Sequence, residues 1–220
     1  MLAAITSLSG CKADAGRPAM NSGPSAAAQP GSAAVADTRP VIVCFGDSLT
    51  AGFGVDPGLS YPDDLQRLLD GEGRQYRVVN AGVSGNTTKD GLARVDHVIG
   101  LHPQIVVLEF GGNDGLRGLP VEQTQSNIGT MIAQLQTSGV QVALAGITLP
   151  PDYGPDYLAK FNAIYPALAH TYRVPLLPFL LQDVYGKPGD MQDDNTHATA
   201  QGNKQVAVNV EKLIAPMMKR

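Results

Sequence analysis

The sequence predicts an α/β fold, a five-stranded parallel sheet with helices on both faces, in a three-layer α/β/α sandwich. Two observations carry that prediction. Five short, continuous apolar runs recur beyond residue 40, as strands do when covering helices bury both of their faces. Between and after these runs, apolar residues repeat at three- and four-residue intervals, as on one face of a helix. Alternation of this kind implies parallel strands joined by helical crossovers.

The elements follow in order. Val41-Ile42-Val43-Cys44-Phe45 is the first run, and similar runs fall at residues 76–81, 105–110, 140–146 and 174–179. The first helical pattern opens with Ser60 as N-cap and Asp63 three residues on, continues through Leu65, Leu68 and Leu69, and stops at Gly71. A second carries Leu92, Val95 and Ile99 on one face. A third repeats Ile128, Ile132 and Leu135 before Gly139. Tyr157, Phe161, Ile164, Tyr165 and Leu168 mark the fourth, and Val206, Val210, Leu213, Ile214 and Met217 the last. No internal repeat is present. Five strand–helix units use up nearly all of the chain after residue 40, so no length remains for a large lid domain.

Composition narrows the function. The 220 residues are 43% hydrophobic, ordinary for one globular domain with an appendage. A net charge of −4 argues against nucleic acid as the main partner. Two cysteines, Cys11 and Cys44, are too few for a disulfide framework or a cysteine zinc site. Cys44 lies in an apolar run and reads as an inert buried thiol. His97, His102 and His170 have no ligand-like spacing with carboxylates, so neither a metal nor another cofactor is expected. No apolar stretch reaches the roughly 18–20 residues that span a bilayer. A phosphate-binding loop, a dinucleotide-binding glycine motif after a strand and a G-x-S-x-G elbow are all missing from the sequence.

The first forty residues differ from the rest. Between Lys12 and Pro40 there is no Leu, Ile, Phe, Tyr or Trp. Such a stretch buries too little apolar surface to offset its ordering entropy, so residues 12–40 read as a flexible linker spanning about 30 Å. Ahead of it, Leu2-Ala3-Ala4-Ile5-Thr6-Ser7-Leu8 reads as the end of a signal-peptide apolar segment. Leu8-Ser9-Gly10-Cys11 resembles a bacterial lipobox, whose cysteine is acylated after cleavage. No Lys or Arg precedes the apolar run, which favours the plainer reading of a disordered N-terminus with an incidental cysteine; a start codon assigned too late would explain the gap. The expectation is three regions: residues 1–11 as signal end and lipobox, 12–40 as linker, and 41–220 as the folded domain. The protein would be exported and held at a membrane on its periplasmic side by a lipid on Cys11. Lys12, in place of Asp after the cysteine, implies the outer membrane where one exists.

Ligands of open parallel sheets bind beyond the carboxyl ends of the strands, so the loops there carry the functional information. They read Gly46-Asp47-Ser48-Leu49-Thr50, Asn80-Ala81-Gly82-Val83-Ser84-Gly85-Asn86, Gly111-Gly112-Asn113-Asp114 and, before the last helix, Asp193-Asp194-Asn195-Thr196-His197. A serine hydroxyl becomes a nucleophile when a neutral histidine takes its proton. A carboxylate on the other ring nitrogen fixes the histidine tautomer and stabilises the imidazolium. Asp194 and His197, three residues apart, meet that need locally. Glycine at position 85 permits close backbone approach, and the Asn113 amide offers a donor to an oxyanion. Each residue also has a plainer role open to it: Ser48 as a helix cap, Asn113 and Asp114 as turn formers, His197 as a solvated side chain.

These four blocks resemble those of the SGNH (GDSL-type) hydrolases, serine esterases named for blocks carrying Ser, Gly, Asn and His. The similarity is closest to the bacterial thioesterase I, lysophospholipase L1 and arylesterase group, and it runs from Val41 to the last helix. Pro175-Leu176-Leu177-Pro178-Phe179 and Val184-Tyr185 are further features of that group. The resemblance implies a flavodoxin-like sheet and a catalytic set of Ser48, Asp194 and His197. It implies an oxyanion hole from Ser48, Gly85 and Asn113, and substrate contacts from Leu116 and Leu149. It also implies that residues 115–120 move over bound substrate. Two departures stand out. The last block usually reads Asp-Gly-hydrophobic-His-Pro, but here it is Asp194-Asn195-Thr196-His197-Ala198, which removes a rigid proline beside the histidine. Asn86-Thr87-Thr88 replaces an acidic residue found in some members. The implied activity is hydrolysis of carboxylic esters, with short-to-medium acyl or aryl esters, lysophospholipids or acyl thioesters as small-molecule partners of a monomer. A carbohydrate O-acetylesterase and a non-catalytic lipid-binding lipoprotein are the competing readings.

Overall fold

The computed structural model describes residues 37–218. The expected signal segment, Cys11 and residues 12–36 of the expected linker lie outside them. Just before the first strand, Arg39 donates to the Tyr76 carbonyl at 3.2 Å and the Arg77 N–H donates to the Pro40 carbonyl at 3.0 Å.

Five strands form one sheet: β1 (Val41–Phe45), β2 (Arg77–Asn80), β3 (Pro103–Glu109), β4 (Gln141–Ala145) and β5 (Leu176–Leu177). All neighbours are parallel and their order is β2-β1-β3-β4-β5. The helices are α1 (Ser48–Ala51), α2 (Tyr61–Gly71), α3 (Thr88–Ala93), α4 (Val95–Ile99), α5 (Gly112–Leu116), α6 (Val121–Thr137), α7 (Pro155–Tyr172) and α8 (Ala200–Ile214). The step from β1 to β2 runs toward one edge, and every later step runs the other way. Right-handed crossovers therefore put α2 on one face and α3, α4, α6 and α7 on the other. α8 returns to pack on α2, while α3, α4 and α7 pack on α6. The direction of winding across the sheet reverses between β1 and β3, and the loops leaving the carboxyl ends of those two strands diverge to opposite faces and open a crevice.

Local chemistry accounts for most element boundaries. Every residue of β1 is buried, as the continuous apolar run requires. Ser60 caps α2 through a reciprocal capping box with Asp63; Gly71 is the last helical residue, with Glu72 as the cap. Cys44 is fully buried, and burial pushes its thiol up to about 12, so the thiolate is not populated near neutral pH.

Two expectations are corrected. The helix read through Leu92, Val95 and Ile99 is broken at Arg94, whose φ of −122° ends α3 before α4 begins. The Arg94 guanidinium is drawn under the sheet edge, where it donates to the Gly46 and Ala81 carbonyls at 2.8 and 2.7 Å and lies 4.6 Å from the Phe45 ring centroid. The fifth strand, read as residues 174–179, pairs over only Leu176–Leu177. Pro175 and Pro178 have no N–H to give a ladder. The edge is held through carbonyls, with the Leu144 N–H on Pro175 O and the Gly146 N–H on Leu177 O at 2.9 and 2.8 Å.

Candidate active site

The loop leaving β1 turns directly into α1. Asp47 is the N-cap, with Oδ1 accepting the Leu49 N–H at 3.1 Å, and Ser48 is the first residue of the helix. Glycine is required at position 46, because a Cβ there would collide with the Thr50 hydroxyl and the Glu109 carboxyl. Glu109, at the end of β3, is fully buried beneath this turn. Its Oε2 accepts the Thr50 hydroxyl at 2.8 Å and the Asp47 N–H at 3.2 Å. Burial, and then the neighbouring Asp47 charge, push the Glu109 carboxyl well above the usual carboxylate range. Burial also raises Asp47, to about 6, against the pull of the Leu49 N–H, the Asn113 amide and His197.

Across the crevice lies the loop before α8. His197 Nε2 is 2.8 Å from Ser48 Oγ, and its Nδ1 is 2.6 Å from Asp194 Oδ2. Asp194 Oδ1 also accepts the N–H groups of Thr196 and His197, at 2.9 and 3.0 Å. Partial burial would raise the Asp194 carboxyl, but the hydrogen bonds from the His197 ring and from these two backbone groups outweigh it and hold it at about 2. The loop's departures from the usual pattern have local explanations. Asn195 adopts φ +51°, a left-handed conformation that asparagine tolerates better than most non-glycine residues. Ala198, where proline is usual, pairs with Met191 in an isolated bridge. Gln192 completes that clamp: its N–H donates to the His197 carbonyl at 2.8 Å and its Nε2 to the Ala198 carbonyl at 2.9 Å.

The loops after β2 and β3 complete the site on either side of β1. Gly85 adopts φ +81°, which favours glycine; its carbonyl accepts Arg117 Nη2 at 3.0 Å. Asn113 Nδ2 donates to the Asn86 carbonyl at 3.0 Å and to Asp47 Oδ2 at 3.1 Å. The loops bearing Ser48, Gly85 and Asn113 are thus tied together. Neither the Ser48 nor the Gly85 N–H is engaged in a hydrogen bond within the described residues. Asp114, buried beside Asn113, accepts the Thr88 N–H at 2.8 Å and anchors α5 to α3.

A cavity of about 230 Å³ opens beside Ser48, Asn113 and His197. Leu116 and Leu149, the sequence-predicted substrate contacts, both line it, together with Ile147, Phe179, Leu181 and Tyr185, which sequence reasoning missed. The segment 115–120 carries further restraints: Tyr153 and Tyr157 donate their hydroxyls to the Leu116 and Leu119 carbonyls at 2.9 and 2.8 Å. Arg94 was also missed; a single arginine between Ala93 and Val95 gave no signal of its contacts.

A serine, an imidazole and an ionised carboxylate in series are suited to nucleophilic acyl transfer. Comparison with known proteins agrees. The model of the GDSL-like Lipase/Acylhydrolase family matches residues 44–205. The chain is 39% identical over 178 residues to Esterase TesA of Pseudomonas aeruginosa, covering 80% of this chain and 89% of that protein. It is 39% identical over 167 residues to the Arylesterase of Vibrio mimicus, covering 76% and 84%. Against Thioesterase 1/protease 1/lysophospholipase L1 of Escherichia coli K12 it is 38% identical over 187 residues, covering 84% and 87%. The crystal structure of TesA superposes with a TM-score of 0.77 at 39% identity, over 81% of this chain and 99% of that one.

Proposed function

The chain belongs to the GDSL-like lipase/acylhydrolase family and is an SGNH serine esterase, and from that premise we propose that Ser48, His197 and Asp194 carry the hydrolysis of carboxylic esters. The observation behind this reading is the unbroken hydrogen-bonded chain from Ser48 Oγ through His197 to Asp194, at 2.8 and 2.6 Å. An ionised Asp194 only accepts, so the hydrogen sits on Nδ1 and the Nε2 lone pair faces Ser48. Nε2 takes the hydroxyl proton as Oγ bonds to the ester carbonyl carbon. The Ser48 and Gly85 N–H groups and the Asn113 amide stabilise the oxyanion. When the carbon–alkoxy bond breaks, the Nε2 proton passes to the departing oxygen and leaves an acyl-serine. Water repeats the sequence, losing its proton to Nε2 and releasing the acid with Ser48 restored.

The cavity supports short-to-medium acyl chains. Its volume of about 230 Å³ falls below the roughly 300–1,000 Å³ of pockets for drug-sized ligands, and its leucine, isoleucine and aromatic walls suit alkyl or aryl groups better than acetylated sugars. Aryl and alkyl esters, lysophospholipids and acyl thioesters are the substrate classes in view. Ser48→Ala tests the assignment: turnover should fall at least about a thousandfold with the thermal transition unchanged, and retained activity would overturn it.

The chain is further read as an exported monomer, anchored through acylated Cys11 at the periplasmic side of a membrane, the outer one where present. The lipobox-like Leu8-Ser9-Gly10-Cys11 supports this, and no helix of the described residues is long and apolar enough to cross a membrane. Cys11→Ser, expressed as the full precursor in a bacterium, should move the protein from the membrane to the soluble fraction. A soluble wild type with an unmodified Cys11 would reject the anchor.

A further inference from the structure

The reaction sends the two halves of an ester in different directions from Ser48, and the described surface is apolar on both sides. Large hydrophobic side chains are exposed at Phe53 (51%), Val83 (44%), Leu116 (41%) and Tyr185 (52%). Leu116 and Tyr185 belong to the cavity wall; Phe53 and Val83 do not. The Phe53 ring lies against the His197 imidazole, with centroids 4.7 Å apart and planes inclined by 42°.

Phe53 is held there from both sides. Its N–H donates to the Ser48 carbonyl at 3.1 Å, and its carbonyl accepts Gln192 Nε2 at 2.7 Å. Gln192 is the residue that clamps the His197–Ala198 loop, so Phe53 is pinned between the nucleophile's helix and the histidine's loop while half of its surface faces solvent. Val83 sits on the neighbouring loop. Its N–H donates to the Gly46 carbonyl at 3.1 Å, and that loop packs so closely on α1 that a Cβ at Gly82 would strike the Ala51 backbone nitrogen.

We propose that Phe53 forms a leaving-group subsite that receives the alcohol half of the ester and favours apolar, above all aryl, alcohols. This rests on the role of His197 given above. The acid that protonates the departing oxygen must lie within hydrogen-bond reach of it, so whatever that oxygen carries lies beside the imidazole. The acyl half occupies the cavity, and the apolar surface flanking the imidazole outside the cavity is the Phe53 ring. An aryl group there packs against Phe53 in an offset or edge-on arrangement, whereas a methyl group reaches little of it.

The test uses one acyl group and two alcohols. kcat/KM, which reports acylation, is measured for phenyl butyrate and methyl butyrate with wild type, Phe53→Ala and Phe53→Leu. The phenyl-to-methyl preference should fall about tenfold in Phe53→Ala and less in Phe53→Leu. By reversal of the same step, the butyryl-enzyme should be intercepted by benzyl alcohol in preference to methanol, and Phe53→Ala should shrink that preference in parallel. Equal losses on both esters would overturn the proposal and leave Phe53 as a support for His197. A wild-type preference for methanol over benzyl alcohol would overturn it without any variant. Activity surviving in Ser48→Ala would instead defeat the reaction scheme itself.

Discussion

Asn113 Nδ2 lies 3.1 Å from Asp47 Oδ2, so the residue just before the proposed nucleophile holds the amide proposed to stabilise the oxyanion. The second hydrogen of the same amide is on the Asn86 carbonyl at 3.0 Å, beside Gly85. The contact thus joins the loops after β1, β2 and β3, and an oxyanion forming above Ser48 must take a share of one of these two hydrogens.

Asn113→Ala should therefore lower kcat about a hundredfold or more with KM little changed; a change in KM alone would make Asn113 a binding residue. The same variant carries a stability signature. Asp47 stands at about 6 in the folded state even with the amide's help, above an unfolded carboxyl near 3.9. The fold therefore holds a proton the unfolded chain has lost, and stability declines as pH rises through that window. Removing the amide raises Asp47 further, so the gap in thermal midpoint between Asn113→Ala and wild type should be wider at pH 8 than at pH 5.

Glu109 makes a related prediction. Its buried carboxyl is raised well above its ordinary value, so it keeps its proton to a higher pH than an unfolded glutamate, which ionises above about 4.3. Folding then takes up a proton, and the cost grows with pH. Glutamine keeps an oxygen for the Thr50 hydroxyl and the Asp47 N–H but does not titrate. The thermal midpoint of Glu109→Gln minus that of wild type should increase by at least about 2 °C between pH 5 and pH 8. A difference that stays flat or declines would show Glu109 to be ionised in the fold.

Acyl-chain preference follows from the cavity. Each methylene buried adds at most about 0.8 kcal/mol, and the gain ends once the chain outgrows the walls. On p-nitrophenyl esters, kcat/KM should rise from acetate, peak at short-to-medium chains and fall at palmitate. Leu149 is a buried wall residue packed on Gly115 of α5, so Leu149→Ala should move the peak to longer chains. A preference for long-chain triglycerides, or activity confined to acetylated sugars, would contradict this cavity.

The parts of the site legible in the sequence are those whose geometry is local. Asp194 and His197 sit three residues apart in one loop, and the carboxylate accepts both the ring and the backbone N–H of its partner, so their spacing nearly suffices to pair them. The crevice was legible too, since parallel strands place their following loops on one rim. Arg94 was not: periodicity read it as one position in a continuous helix, whereas the Gly46, Ala81 and Asn86 acceptors and the Phe45 and Phe110 rings gather its guanidinium where the helix breaks. The wall residues Phe179, Leu181 and Tyr185 were equally hidden, because an apolar residue after a strand looks the same whether it faces the core or a cavity.

The sequence by itself determined the five-stranded parallel sheet, the rim on which its chemistry lies, and the Asp194–His197 pair. These follow from burial periodicity and from contacts within a few residues. Only the tertiary structure decided that Ser48 meets His197 across 149 positions of chain, that the chain breaks at Arg94, that β5 pairs over two residues, and that Phe53 flanks the imidazole outside the cavity. Each of these depends on which distant groups share a space. That is settled by close packing of all the elements at once, which local propensity and spacing do not encode.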